Sequence, residues 1–146
     1  MSKERLYIFD TTLRDGAQTQ GVHFSIDEKT KIAHALDSLG VDYIEGGWPG
    51  ANPSDTEFFQ KGLDLKNSKF TAFGMTKKSG RSAENDPGLS AIMNSNTESV
   101  CLVGKTWDFH VDVALGISNE ENLENIKETT KHFVKNEKEF MFDAEH

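Results

Sequence analysis

The stretch that decides the fold is Leu39-Gly-Val-Asp-Tyr-Ile-Glu-Gly-Gly-Trp-Pro-Gly-Ala-Asn-Pro-Ser-Asp55. It begins at the end of a helix, because Gly40 is the residue type that most often closes one. Residues 41–45 then have the length and the β-branched and aromatic content of a strand, which the following glycines and proline end. Asn52 and Pro53 are a typical N-cap and first helical residue. Helix, strand, loop and helix in this order predict one βα unit.

The same unit recurs along the whole chain. Strand-like segments lie at residues 6–9, 41–45, 70–73, 100–103 and 139–143. Helices are predicted between them, with starts near Ser25, Asn52, Gly88 and Ser118. Because parallel strands need long crossovers, this rhythm predicts an α/β fold with about five parallel strands and four helices. The residues alone leave two arrangements open, an open doubly wound sheet or part of a barrel.

Two of the predicted helices begin with a capping box, which is a serine followed three residues later by a glutamate. Ser25 and Glu28 form the first box, and Ser118 and Glu121 form the second. Helical spacing gives the last helix a predicted apolar face, made of Leu123, Ile126, Phe133 and Val134.

Charge and composition exclude several kinds of partner. The 146 residues include 16 Lys and Arg against 24 Asp and Glu, for a net charge of −8. Because the sequence has no run of five basic residues, we expect neither a nucleic acid nor a membrane surface as a partner. We also expect no signal peptide and no membrane span. A single cysteine, Cys101, cannot form an intrachain disulfide, so a cytoplasmic location is predicted.

The segment Asp10-Thr-Thr-Leu-Arg-Asp-Gly-Ala-Gln18 follows the first predicted strand and carries the clearest candidate chemistry. Ligands bind at the carboxyl ends of the strands in α/β folds. At such a place the Arg14 guanidinium can stabilise an oxyanion that forms on a carbonyl, and the Asp15 carboxylate can hold a divalent cation. The alternative is a solvated pair of side chains in a surface turn, with Gly16 at a positive φ angle.

Five blocks of sequence together resemble the α-isopropylmalate/homocitrate synthase family of the DRE-TIM metallolyase superfamily, most strongly its citramalate-synthase type. The first two are the segments at 10–18 and 39–55. The others are Ala72-Phe-Gly-Met-Thr76, Val103-Gly-Lys-Thr-Trp-Asp-Phe-His110 and Phe142-Asp-Ala-Glu-His146. The resemblance covers essentially the whole chain and implies a TIM (β/α)8 barrel. Since such a barrel needs about 250 residues, residues 1–146 are expected to be its N-terminal part, a single incomplete domain.

The resemblance also implies a reaction. Members of the family add acetyl-CoA to a 2-keto acid in a Claisen condensation that depends on a divalent metal, Mg, Mn or Zn. Pyruvate is the favoured keto acid here, which gives citramalate for the synthesis of isoleucine and leucine. Two alternatives are kept: a non-catalytic half-barrel that self-associates, and a carbon–carbon lyase similar to hydroxymethylglutaryl-CoA lyase.

By position, the resemblance assigns roles to six residues. Arg14 and Glu145 would be catalytic, and Asp15 would ligate the metal. The residues implied to bind the keto acid are Arg14, Gln18, Glu45, Asp143 and Glu145. Glu45 has a structural alternative, in which it pairs with Arg14, and Glu145 has one as a solvated residue at the end of the chain.

The family completes its metal site with a His-x-His pair, which this sequence lacks. Its histidines are His23, His34, His110, His132 and His146, and no two are separated by one residue. Because one carboxylate binds a divalent ion weakly, we expect metal binding in this chain alone to be weak or absent, and the chain to be inactive. Uncovered strand edges favour association, so a homodimer or higher oligomer through the exposed barrel edges is expected.

Overall fold

The computed structural model describes residues 4–145 and contains one five-stranded sheet. Every pair of neighbouring strands is parallel. The strands are Phe9–Asp10 (β1), Tyr43–Gly47 (β2), Lys69–Met75 (β3), Ser99–Lys105 (β4) and Glu139–Glu145 (β5). The predicted α/β fold with five parallel strands is therefore confirmed.

The order of the strands decides between the two arrangements that the sequence left open. Doubly wound sheets reverse their strand order at a switch point, where helices change faces. Here the order is β1-β2-β3-β4-β5, which follows the chain without a reversal, as in a TIM barrel. The sheet is therefore part of a barrel, with β1 and β5 at its two edges.

Helices lie in each connection between strands. They are Ile26–Leu39 (α1), Pro53–Lys61 (α2), Pro87–Met93 (α3), Asp108–His110 (α4) and Asn119–Lys135 (α5). The four predicted helices are α1, α2, α3 and α5, whereas α4 is a single turn that continues into a π-helical turn at Val111–Leu115. Within residues 4–145, no helix has the length and apolar character needed to cross a membrane.

The expectations for the length of β1 and for the apolar face of α5 are wrong. The first strand was expected over residues 6–9, but β1 has two residues, and Leu6, Tyr7 and Ile8 lie outside it with exposed side chains. The predicted apolar face of α5 is not buried as a whole, since Leu123 and Val134 are more than half exposed. The residues that α5 buries are Asn122, Asn125, Thr129 and Phe133.

The buried face of α5 is polar because it packs against loops whose backbone groups need partners. Asn122 Nδ2 donates to the carbonyl oxygen of Lys105 at 2.8 Å, and Thr129 Oγ1 accepts from the Lys77 N–H at 3.0 Å. Burying these polar groups is tolerated because each has a hydrogen-bond partner. The start of α5 also departs from the prediction, because Ser118 Oγ accepts the Glu121 N–H while the reciprocal bond of the capping box is not formed.

The core lies between the sheet and the helices, in two apolar clusters. One cluster contains Leu13, Ala33, Val41, Ile44 and Phe58. The other contains Phe59, Ala72, Ala83, Leu89, Ile92, Val100, Leu102 and Phe133. Because side chains alternate along a strand, neighbours of the core residues, such as Phe73 and Cys101, belong to the opposite, inner face of the sheet.

Candidate active site

Arg14 and Glu45 come together across the neighbouring strands β1 and β2. Arg14 lies in the turn that follows β1, and Glu45 lies in β2. Arg14 Nε donates a hydrogen bond to Glu45 Oε2 at 2.7 Å, and Arg14 Nη1 lies 3.3 Å from Asp15 Oδ1. Only 1% of Glu45 is exposed, so its carboxylate lies beneath Arg14 and not at the surface. The pairing considered as an alternative for Glu45 is therefore present, and a direct substrate contact of Glu45 stays a prediction.

An aromatic ring packs against the Arg14 guanidinium, and a second ring packs against the first. The central carbon of the guanidinium lies 4.0 Å from the centre of the Phe73 ring, which is within the range of a cation–π contact. Trp48 packs its ring edgewise against Phe73, with 5.5 Å between the ring centres. A salt bridge and an aromatic face thus fix the guanidinium from two directions.

The electrostatics of Glu45 follow from its burial. Removal from water raises the pKa of the Glu45 carboxyl above its ordinary value, although Arg14 acts in the opposite direction. The negative charges of Asp143 and Asp15 raise it further. Ionised Glu45 is therefore costly in this environment and depends on Arg14 as its partner.

Asp143 and Cys101 complete the inner surface next to Glu45. Burial, together with the charges of Glu45 and Asp143, raises the pKa of the Cys101 thiol to about 12. Because the thiolate is the nucleophilic form, this thiol is unreactive at neutral pH. Asp143 is an exposed residue of β5, and the register of β4 and β5 places it on the same face of the sheet as Cys101.

Glu145 and Gln18 lie at the carboxyl end of the sheet, Glu145 at the end of β5 and Gln18 in the turn after β1. Glu145 forms an ion pair with Lys105, its register partner on β4. Gln18 is exposed at the end of a 3-10 turn at Gly16–Gln18. Gly16 does not have a positive φ angle, so this part of the surface-turn alternative for Arg14 and Asp15 is wrong. His146, one of the histidines considered above, lies outside the described residues.

Asp15 is the candidate metal ligand, and 63% of its side chain is exposed. In the part of the chain that the structure describes, no three His, Cys, Asp or Glu side chains lie close enough together to hold a metal ion. Divalent ions bound by proteins take several oxygen, nitrogen or sulfur ligands. The described residues therefore do not by themselves fit a divalent metal, because Asp15 offers one carboxylate.

Sequence reasoning missed the groups that hold the loop after β2. Lys29 Nζ, on α1, lies 2.6 Å from Asp55 Oδ1 and 3.0 Å from the carbonyl oxygen of Gly46. A signal was present, since Lys29 falls at helical spacing between the apolar residues Ile26 and Ala33. A lysine in the buried stripe of a helix requires a partner, and α1 indeed buries Lys29.

Comparisons with known proteins agree with this fold and these sequence blocks. The family model described as HMGL-like matches residues 5–146. The chain is 48% identical over 145 residues to an (R)-citramalate synthase of Aquifex aeolicus, covering 98% of the chain and 28% of the relative. It is 45% identical over 148 aligned positions to an (R)-citramalate synthase of Geobacter sulfurreducens, covering 100% of the chain and 28% of the relative.

A solved structure gives the same result for the fold. The HMG-CoA lyase of Bacillus subtilis superimposes with a TM-score of 0.72 at 18% identity, covering 96% of this chain and 46% of the lyase chain. At this identity the likeness concerns the fold alone. The chain spans about 28% of the length of the two synthases that it matches. Because the family model covers nearly all of its residues, this chain belongs to the HMGL-like family.

Proposed function

We propose that the protein containing this chain condenses acetyl-CoA with a 2-keto acid, with pyruvate as the substrate and citramalate as the product. The observation that carries the proposal is the 48% identity to an (R)-citramalate synthase over nearly the whole chain. The site geometry supports the proposal, because the fixed Arg14 guanidinium lies at the carboxyl end of the sheet, where TIM barrels bind their substrates.

In this proposal Arg14 binds the keto oxygen of the acceptor. Glu45 accepts from Nε and Asp15 accepts from Nη1, so Nη2 and the second hydrogen of Nη1 are the donors that remain for the substrate. When the methyl carbon of acetyl-CoA, having lost a proton, attacks the keto carbon, the carbonyl bond opens and negative charge develops on the oxygen. A donor already fixed in place stabilises that charge without further reorganisation. Protonation of this oxygen gives the tertiary alcohol, and hydrolysis of the thioester releases CoA.

Gln18, Asp143 and Glu145 are proposed as further substrate-binding residues, with Glu145 also catalytic. Two observations support the assignment of Asp143 and Glu145. The charge of Asp143 acts on Glu45, and the ion pair between Glu145 and Lys105 lies at the carboxyl ends of β4 and β5. The assignment of Gln18 rests on its position in the turn after Arg14.

A divalent metal, Mg, Mn or Zn, belongs to the same proposal, with Asp15 as one of its ligands. Such an ion would act as a Lewis acid towards the keto acid. One exposed carboxylate does not make a divalent site, and the roles assigned above to Arg14 and Glu45 do not depend on the ion. We also propose a cytoplasmic enzyme of isoleucine and leucine synthesis that forms homodimers or higher oligomers.

The test is release of free CoA thiol by the whole protein, with acetyl-CoA, Mg²⁺ or Mn²⁺, and one keto acid at a time. We expect the highest kcat/KM with pyruvate, compared with 2-oxoisovalerate and 2-oxoglutarate, and loss of activity in Arg14→Lys because lysine cannot reproduce the fixed fork of donors. No thiol release above the rate without enzyme would contradict the proposal. Cleavage of 3-hydroxy-3-methylglutaryl-CoA would support a lyase instead.

A parallel assay concerns this chain alone. One carboxylate and an open sheet predict no turnover by the 146-residue chain under the same conditions. Measurable turnover by the isolated chain would show that it is more than an inactive half-barrel.

A further inference from the structure

We propose that Lys29 and Asp55, which lie behind the site, are positioning residues that hold Arg14 in place through the loop after β2. The proposal rests on the function proposed above for Arg14. It concerns residues on α1 and α2 whose side chains make none of the contacts described for the keto acid.

The first step is an irregularity at the end of β2. Along β2 and β3, Glu45 pairs with Thr71 and Gly47 pairs with Ala72, so Gly46 is an extra residue in the ladder. The carbonyl oxygen of this bulge residue accepts a hydrogen bond from Lys29 Nζ at 3.0 Å. Because Gly46 follows Glu45 directly, the lysine anchors the backbone beside the carboxylate that holds Arg14.

The second step is the ion pair of Lys29 with Asp55. Its two atoms are 2.6 Å apart, and the side chains are only 5% and 13% exposed. Removing one member of a buried ion pair leaves an uncompensated charge, so both members depend on each other. The pair therefore fixes Asp55 at the start of α2.

The third step leads from Asp55 to the aromatic side of the site. Asp55 Oδ2 accepts the backbone N–H of Trp48 at 2.9 Å. The carboxylate comes this close because Gly47 has no Cβ, which would lie 2.6 Å from the Asp55 carboxylate. Trp48 packs against Phe73, and the ring of Phe73 forms the cation–π contact with the Arg14 guanidinium.

Lys29 thus reaches Arg14 by two routes, one through Gly46 and Glu45 and one through Asp55, Trp48 and Phe73. Lys61 provides a matched control. Its Nζ lies 3.1 Å from Asp27 Oδ1, so it also joins α1 to α2 by a Lys–Asp pair, but these side chains are 46% and 82% exposed. Loss of the pair between Lys61 and Asp27 therefore removes a similar contact between α1 and α2 and leaves both sets of contacts to Arg14 unchanged.

The experiment compares Lys29→Met and Lys61→Met in the whole protein. We expect Lys29→Met to lower kcat/KM for the keto acid about 10- to 100-fold, because small misplacements of a binding group have effects of this size. Lys61→Met should stay within about twofold of the parent, as expected for an exposed pair. Lys29→Arg, which keeps the charge, should recover part of the loss.

A spectroscopic readout separates positioning from stability and from the proposed function. With [15N]arginine labelling, the Nε–H signal of Arg14 is assigned by its disappearance in Arg14→Lys. We expect this signal to shift or broaden in Lys29→Met and to stay unchanged in Lys61→Met. The result holds whether or not the protein condenses acetyl-CoA, so failure of the proposed function would be seen separately in the thiol assay.

A double variant covers the case in which Lys29→Met does not fold. Lys29→Met with Asp55→Asn removes both charges together and leaves no buried charge unpaired. It should fold and show the same loss of kcat/KM and the same change in the Arg14 signal. The proposal is overturned if a folded variant that lacks Lys29 keeps the parent's Arg14 signal and its kcat/KM.

Discussion

Arg14 Nε and Glu45 Oε2 lie 2.7 Å apart and join the turn after β1 to the middle of β2. The Glu45 carboxylate is almost fully buried, and the Arg14 guanidinium is hydrogen-bonded to it. A charged hydrogen bond of this kind fixes both position and orientation of an arginine. The pair therefore forms one unit, in which the glutamate orients the arginine.

The first prediction concerns the charge of Glu45. In the whole protein, Glu45→Gln should keep the shape of the side chain but replace the charged hydrogen bond by a weaker neutral one. We expect kcat/KM to fall about 10- to 100-fold, which is about 1.4 to 2.7 kcal/mol of lost transition-state binding. The control is Glu124→Gln, since Glu124 pairs with Lys127 on the exposed side of α5. Equal kcat/KM in both variants and the parent would contradict a role for Glu45.

The second prediction follows from the raised pKa of Glu45. Below that pKa the carboxyl is protonated and neutral, and its hold on Arg14 is weaker. Activity should therefore rise with pH along an acid limb whose midpoint lies above 4.5, the ordinary value of a glutamate. The measurement is kcat/KM against pH for the parent and for Glu45→Gln. An unchanged acid limb in the variant would mean that another group produces it.

The third prediction concerns Gly47, whose φ of 146° disfavours other residues and whose Cβ would meet the Asp55 carboxylate. Gly47→Ala should lower the free energy of unfolding by about 3 kcal/mol, from backbone strain and overpacking together. Gly40→Ala is the matched control, because Gly40 also has a positive φ but open space around it. It should cost only about 1 to 2 kcal/mol, the cost of a left-handed conformation for a residue with a Cβ. Urea denaturation measures the free energy of unfolding of both variants. Equal losses would exclude the contact between the new Cβ and the Asp55 carboxylate as the cause.

Most of the fold was predictable because its signals are local. Gly40 ends α1 in the left-handed conformation, and Asn52 accepts the Asp55 N–H at the start of α2, as the residue types predict. β1 was not predictable in the same way. Residues 6–9 form an apolar run typical of a strand, but strand pairing depends on neighbours, and these residues lie at an uncovered edge of the sheet.

The site was predictable where the residue pattern is distinctive and not where it depends on packing. The Arg14-Asp15 pair and Glu45 stand in recognisable sequence blocks. Whether Glu45 faces the substrate or pairs with Arg14 was undecided, because spacing along the chain does not give a distance between two strands. The support by Phe73 had no sequence signal beyond its place in a strand, since cation–π contacts form between residues far apart in sequence.

The fourth prediction concerns association. Exposed apolar side chains flank both open edges of the sheet: Leu6 and Tyr7 lie before β1, and Leu123 and Val134 lie on α5. We expect this chain to sediment as a dimer or larger species at micromolar concentration, because burying these groups is favourable. Leu123→Lys with Val134→Lys should shift the distribution towards monomer. Phe109→Lys, at an exposed site on α4, is the control and should change nothing. A monomeric parent chain would contradict the prediction.

The fifth prediction tests the aromatic support of Arg14. Phe73→Leu keeps an apolar side chain but removes the ring that lies 4.0 Å from the guanidinium. A cation–π contact of about 0.5 to 2 kcal/mol corresponds to a loss of about 2- to 30-fold in kcat/KM. Phe109→Leu is the control, because Phe109 is 53% exposed and packs on Trp107.

Combining Phe73→Leu with Glu45→Gln extends this test. If both contacts fix the same guanidinium, the first substitution already frees Arg14 and the second has less left to remove. The double variant should then lose less kcat/KM than the product of the two single losses, which is the signature of coupled residues. Losses that multiply would mean that Phe73 and Glu45 act on the reaction independently.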